Sequence, residues 1–275
     1  MIHIMKHISS ALLCIFVASV PLCLTTSAQT TKMPVQIELL THTEIYDAIH
    51  KKGYTTVLVY NGGTEQRGPH AVLGGHTFIA YGIAERLAQK LGNALVAPVL
   101  PFSPNEAKES TPGTIGLTGP LFKLLNERVV EQLVKNGFKD IVVMGDHGEG
   151  QKELQLLAAE ADRKYSPQGV HVYFCGDVYE KSHKDFDAYL TQHKLPLSVH
   201  AGIPDTSEML FLQPKNDAWV RPIYKNVVAN ATNGVNGDPR QSSAELGKIL
   251  IDLTVNNGYN EITRMIAEKR KASKK

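Results

Sequence analysis

Four apolar runs of β type, at 55–60, 94–100, 141–144 and 170–175, alternate along this 275-residue chain with segments of helical periodicity. No other feature limits the fold so tightly. Strands that are apolar throughout have both faces buried, and strands separated by helices are joined by crossovers, so the chain predicts a parallel sheet covered on both sides. The helical segments are equally legible. Phe78, Ala80, Ile83, Ala84, Leu87 and Leu91 recur on one helical face, and Gly92 stops the helix. Leu121, Leu125, Val129 and Leu133 repeat the pattern before Gly137. Further helices are expected at 151–165, 179–193 and 242–257, with another charged helical segment from 259 onward. Near the start, Thr41 with Glu44 forms a capping box, and Gly53 supplies a stop.

The first residues read differently. Lys6 and His7 precede an apolar stretch from Ala11 to Leu24, and Thr26-Ser27-Ala28 offers small residues for cleavage. That is the layout of a secretory signal, and the apolar run is shorter than the ~20 residues of a spanning helix. Residues 1–28 are therefore expected to be a signal peptide and 29–275 a single domain in a periplasmic or secreted protein, with no stable membrane insertion after cleavage. Cys14 and Cys23 leave with the leader, so Cys175 has no partner for an intramolecular disulfide and stability must come from a core. The chain has 29 basic and 27 acidic side chains. Its only basic cluster, Lys269-Arg270-Lys271 with Lys274 and Lys275, lacks interleaved aromatics, so no nucleic-acid partner is expected.

Two stretches carry chemistry. Thr64-Glu65-Gln66-Arg67-Gly68-Pro69-His70 with Gly75-His76 follows the first strand, and Gly145-Asp146-His147-Gly148-Glu149 follows the third. The carboxyl edge of such a sheet is where ligands bind. Carboxylate and imidazole groups gathered there suit a hydrolytic metal ion, because three protein ligands leave a position for water. A third cluster, His200-Ala201-Gly202-Ile203-Pro204-Asp205-Thr206-Ser207, lies beyond the last clear strand. Asp205 or Thr206 could cap the helix that follows, and His200 has the pKa range of a proton shuttle. The long irregular piece at 101–119 reads as a binding loop. Nucleotide binding is disfavoured, since Asp146 and Glu149 would repel a pyrophosphate and no Gly-Lys-Ser/Thr loop occurs. A serine hydrolase is disfavoured by the lack of a Gly-x-Ser-x-Gly elbow.

Taken in order, these clusters resemble the creatininase family of metal-dependent amidohydrolases. That family shows a Glu-Gln-His-Gly-Pro-His-x-x-Leu-Gly-x-Asp run, an Asn-Gly-His-x-Glu/Gly-Asn run and a His-Ala-Gly-x-x-Glu-Thr-Ser run. Gly234-Val235-Asn236-Gly237-Asp238-Pro239 with Ala244-Glu245-Leu246-Gly247 looks like its C-terminal signature. The resemblance implies a three-layer α/β/α fold with a mainly parallel central sheet. It also implies a homo-oligomer, commonly a hexamer, and hydrolysis of non-peptide C–N bonds in small, often cyclic, amides at two divalent metals. Two positions depart from the pattern: Arg67 stands where the family has a histidine ligand, and His76 where it has the bridging aspartate. A guanidinium cannot ligate a metal.

The expected centre therefore has one ion per subunit, zinc with manganese or iron as alternatives, held by Glu65, His76 and His147 with water in the open position. Arg67 is expected to replace the second cation, holding Glu149 in a salt bridge or gripping the substrate. Glu149 is expected to be the general base on the bound water and His200 the acid that protonates the leaving nitrogen. Other readings of the same site are a lactone or ester hydrolase and a non-catalytic binder of a small ligand.

Overall fold

In the computed structural model, which describes residues 33–197, 199–214, 218–230 and 232–272, the strands are β1 (Thr56–Asn61), β2 (Ala94–Val96), β3 (Asp140–Gly145) and β4 (His171–Phe174). All pair in parallel, in the spatial order β2-β1-β3-β4. The helices are α1 (His42–Lys51), α2 (Gly75–Leu91), α3 (Gly119–Lys135), α4 (Gln151–Tyr165), α5 (Glu180–Gln192), α6 (Ile203–Leu212) and α7 (Ala244–Ala272). Residues 34–275 form one compact unit. The leader reading lies outside the described residues, among which no helix is long and apolar enough to cross a membrane.

The pleat sorts the strand residues into two layers. Leu58, Tyr60, Val142, Met144, Tyr173 and Cys175 alternate along three strands and pack with Ile79, Ile83 and Leu87 of α2 and Ile251 and Ile262 of α7. Val57, Val59, Ile141 and Val143 point the other way and are equally sealed from solvent. On that side α3 packs on α4, and α4 packs on β3 and β4. The result is three layers, α/β/α. Deleting the Leu87 side chain to alanine removes a completely buried branch from the α2 interface, a change of about 2–5 kcal/mol.

Several elements differ from the sequence expectation. The second strand ends at Val96, because Pro98 cannot donate to a ladder. The helix expected to stop at 257 runs on without interruption to Ala272. Gly258, just past the expected end, sits inside α7 because the helix passes Val178 there: a Cβ on Gly258 would lie 2.7 Å from the Val178 side chain. Asp205 and Thr206 lie within α6 rather than capping it, and Gly202 is its N-cap. The Thr41–Glu44 capping box forms as read, with both reciprocal hydrogen bonds.

Register explains where a site can form. Asn61 and Gly145, the last residues of the two central strands, lie opposite each other. Both motif-bearing loops thus leave the sheet at one point. The 101–118 segment crosses over the first of them: Ile115 N–H donates to the Thr64 carbonyl at 3.0 Å, and the Thr64 hydroxyl donates to the Pro101 carbonyl at 2.9 Å.

Candidate metal centre

Glu65 lies four residues past the end of β1, and its own N–H donates to the Leu73 carbonyl at 2.9 Å. His76 is the second residue of α2, so its ring projects from a fixed helical turn. His147 sits two residues past the end of β3. One ligand atom from each of these three lies within 4.8 Å of the others. Glu65 Oε2 is 3.2 Å from His76 Nε2 and 3.4 Å from His147 Nε2. Donor atoms bonded at ~2.0–2.1 Å to one tetrahedral ion stand about 3.3–3.4 Å apart, so the two spacings from Glu65 match such an ion, and all three donors lie within 4.8 Å of one another.

The two imidazoles are held from behind. His76 Nδ1 lies 2.8 Å from Asp146 Oδ2, so the ring donates there and turns Nε2 toward Glu65. His147 Nδ1 lies beside the Glu149 backbone, 3.0 Å from its amide nitrogen and 3.4 Å from its carbonyl oxygen. The rings meet edge to face, with centroids 4.8 Å apart. Asn105 reaches in from the crossing loop, its amide donating to Glu65 Oε1 at 2.8 Å. His200 Nε2 donates to the Gln66 carbonyl at 2.8 Å, which leaves Nδ1 facing Glu65 Oε2 at 3.6 Å.

Electrostatics follow this crowding. Burial alone would push the Glu65 carboxyl upward, but hydrogen bonds from His147 and His76 hold it far below the usual carboxylate range. Burial and Arg67 disfavour charging His76, yet Asp146 and Glu65 prevail and raise its pKa. The cluster is anionic at its centre and ready for a cation.

Arg67 and Glu149 require correction. Arg67 is completely buried, and its partner is Asp205, with Nη1 2.7 Å from Oδ2; it neither meets Glu149 nor faces the cavity. Its side chain crosses directly over Gly75, where a Cβ would stand 2.6 Å from Nε. Asp205 also accepts the Ala201 N–H at 2.7 Å, stabilising that residue at φ 57, in the left-handed region. The ion pair therefore ties the Glu65 loop to the His200 turn. Glu149 is exposed and lines a neighbouring groove with Gln151 and Glu153, outside the cavity that holds Glu65, so the structure does not place it as a base on water there. His70, the other histidine of the first motif, is sealed from solvent against the Thr206 hydroxyl at 3.1 Å, and burial pulls its pKa down to about 4.

The sequence reading missed Asp146 and Asn105 as parts of the site. Asp146 had a signal: an imidazole in an aspartate's place needs a carboxylate to orient it, and one lies beside His147. Asn105 had none, because the fold of the long loop determines what it touches. The cavity beside the cluster measures about 270 Å³, and its walls include Asp146, His200 and Glu208 together with Tyr179, which precedes α5, and His183 and Asp187 of α5.

Comparison with known proteins agrees with this architecture. Residues 38–260 match the family described as creatininase, creatinine amidohydrolase. The mycofactocin precursor peptide peptidase of Mycolicibacterium smegmatis is 28% identical over 76% of this chain and 84% of its own. The creatinine amidohydrolase of Pseudomonas putida is 25% identical over 62% of this chain and 68% of its own. A crystal structure of creatinine amidohydrolase superposes with a TM-score of 0.71 at 22% identity, covering 85% of this chain and 98% of that one. Two other creatininase structures are described as carrying manganese and as being of a Zn-Zn type.

Proposed function

Because the chain belongs to the creatininase family of hydrolases, we propose that it is a metal-dependent amidohydrolase that cleaves a non-peptide C–N bond in a small amide. The observation that carries this reading is the approach of Glu65, His76 and His147 to spacings that fit one ion. These three would hold a single divalent cation, zinc by donor chemistry, with manganese and iron able to use the same set. When bound, the cation would supply Lewis acidity and a water acidified toward neutrality.

The chain's own residues do the rest. Asp146 keeps His76 in the tautomer that ligates. Asn105 orients the Glu65 carboxylate through its second oxygen. His200, fixed at Nε2 by Gln66, presents Nδ1 to the cavity, where it can pass a proton to the departing nitrogen. Arg67 neutralises Asp205 from inside the fold.

The test is turnover by purified protein, stripped with a chelator and reloaded, on a panel of cyclic and linear amides, lactones and short peptides. The reading expects metal-dependent amide hydrolysis that His147→Ala abolishes. Activity confined to lactones would instead assign an ester hydrolase. No turnover together with tight ligand binding would assign a binder. The reading further includes export from the cytoplasm and self-association, which cell fractionation and light scattering address.

A further inference from the structure

Amide hydrolysis needs a donor for the carbonyl oxygen as it takes on charge, and neither expected cation nor acid supplies one. Arg67 is committed to Asp205, and Glu149 faces another groove. Tyr179 is placed to do so. It directly precedes α5 and lines the cavity that also holds Glu65, His76 and His147. The other side chains of that wall are imidazoles, carboxylates, and a valine, so its phenol is the cavity's one hydroxyl among the described residues. The phenol hangs over Gly148, next in sequence to the proposed ligand His147: a Cβ there would stand 2.6 Å from the phenolic oxygen. Any side chain at 148 would push the hydroxyl away, so the glycine admits it beside the ion's own loop.

Tyr179 is also held in place from three directions. Its N–H donates to the Gly176 carbonyl at 2.9 Å, and its ring lies against that of His183, with centroids 4.4 Å apart. His183 Nδ1 in turn donates to the Tyr179 carbonyl at 2.9 Å. The hydroxyl itself has no hydrogen-bond partner among the described residues. Tyrosine hydroxyls within a fold usually find one, so a fixed phenol left open toward a cavity points to a ligand atom. Burial, then the charges of Asp205, Asp146, Glu149 and Glu65, push the phenol up to about 12, and at neutral pH it is a donor. We propose that Tyr179 is a catalytic residue whose O–H donates a hydrogen bond to the carbonyl oxygen of the scissile amide as that oxygen becomes an anion. This rests on the hydrolase reading above and adds a named donor to it. As the oxygen of water bonds to the carbonyl carbon, the C=O π pair moves onto the carbonyl oxygen, where the phenol meets it and keeps its own proton. When the pair returns, the C–N bond breaks and its electrons leave with nitrogen, which takes, through His200, the proton that the water gave up.

Tyr179→Phe keeps the ring on His183 and removes only the donor. On an amide that the metal-loaded protein turns over, it should lower kcat about 100- to 1000-fold, with KM changed less than about threefold. Metal content and thermal unfolding should stay as in wild type, which a merely structural role for the hydroxyl would not allow. Calorimetry with N-methyl methylphosphonamidate, a tetrahedral anion shaped like N-methylacetamide after water addition, reads the same donor without turnover. The metal-loaded wild type should bind it, and Tyr179→Phe at least roughly tenfold more weakly. Equal affinity in the two proteins, or no binding by the wild type, would overturn the proposal. Amide turnover that Tyr179→Phe leaves untouched would overturn it too, and would spare the hydrolase reading. Phosphonamidate binding that depends on the hydroxyl, without turnover of any amide, would sink the hydrolase reading and leave the donor site standing.

Discussion

His76 can offer Nε2 to a cation only while its other ring nitrogen has an acceptor for its proton, and Asp146, 2.8 Å away, is that acceptor. Asp146→Asn should therefore lower metal affinity about 10–100-fold in titrations of stripped protein, with the fold intact. Unchanged affinity would mean that His76 does not ligate. Arg67→Met leaves Asp205 buried without its counter-charge and should destabilise by about 3–5 kcal/mol in urea unfolding. Asp205 also sets an acid limit. Burial opposes its charge, but Arg67 prevails and holds its folded pKa below the ordinary ~3.9. Its contribution is thus complete above that value and lost as pH falls through the folded pKa, so Asp205→Asn should flatten the loss of stability in acid. Glu208 has the opposite sign. Burial, then Asp146 and Asp205, raise its pKa, so the folded state weakens as pH climbs above ~4.3, and Glu208→Gln should be more stable than wild type at neutral pH. At this scale the sequence was legible where a motif names the residue, as with Glu65 and His147. It misled for Arg67, whose cationic character fits a substrate clamp but whose burial only tertiary packing determines.

Elements were the most legible scale, because periodicity and stops are local properties. The strands and most helices occur where the apolar pattern puts them. The second strand falls short for a local reason, Pro98, whereas the other failures share a cause: a residue whose role comes from a distant neighbour. Gly258 lies past the expected helix end but admits Val178, and Asp205 reads as a cap but answers Arg67. Gly247 is another such position. Within α7 it lets the helix cross α6 so closely that a Cβ would stand 1.9 Å from the Ser207 carbonyl oxygen. Gly247→Ala must push α7 away from α6, and because α6 follows the His200 turn, the site should loosen with it. Thermal unfolding should show a loss of about 1–3 kcal/mol, accompanied by weaker metal binding. A variant as stable as wild type would show that the crossing has slack.

Across the whole molecule, the three proposed ligands come from the β1 loop, the first turn of α2 and the β3 loop, which only the closed fold brings together. An ion bound there must stabilise the native state alone, by about 2.7 kcal/mol when its concentration is one hundred times its Kd. A parallel sheet with the motifs at its carboxyl edge was readable from the alternation of elements, whereas the strand order that sets β1 beside β3 was not. The direction of each side chain within that edge was not, since it depends on loop paths that the 101–119 segment and α5 complete. The central claim is a single-ion centre in a family with a Zn-Zn type among its structures. Metal analysis by mass spectrometry of the purified, chelator-washed protein tests it most directly. One tightly held equivalent per chain, lost in Glu65→Ala and in His147→Ala, is expected, whereas two equivalents, or one that survives both substitutions, would rule out the single-ion centre.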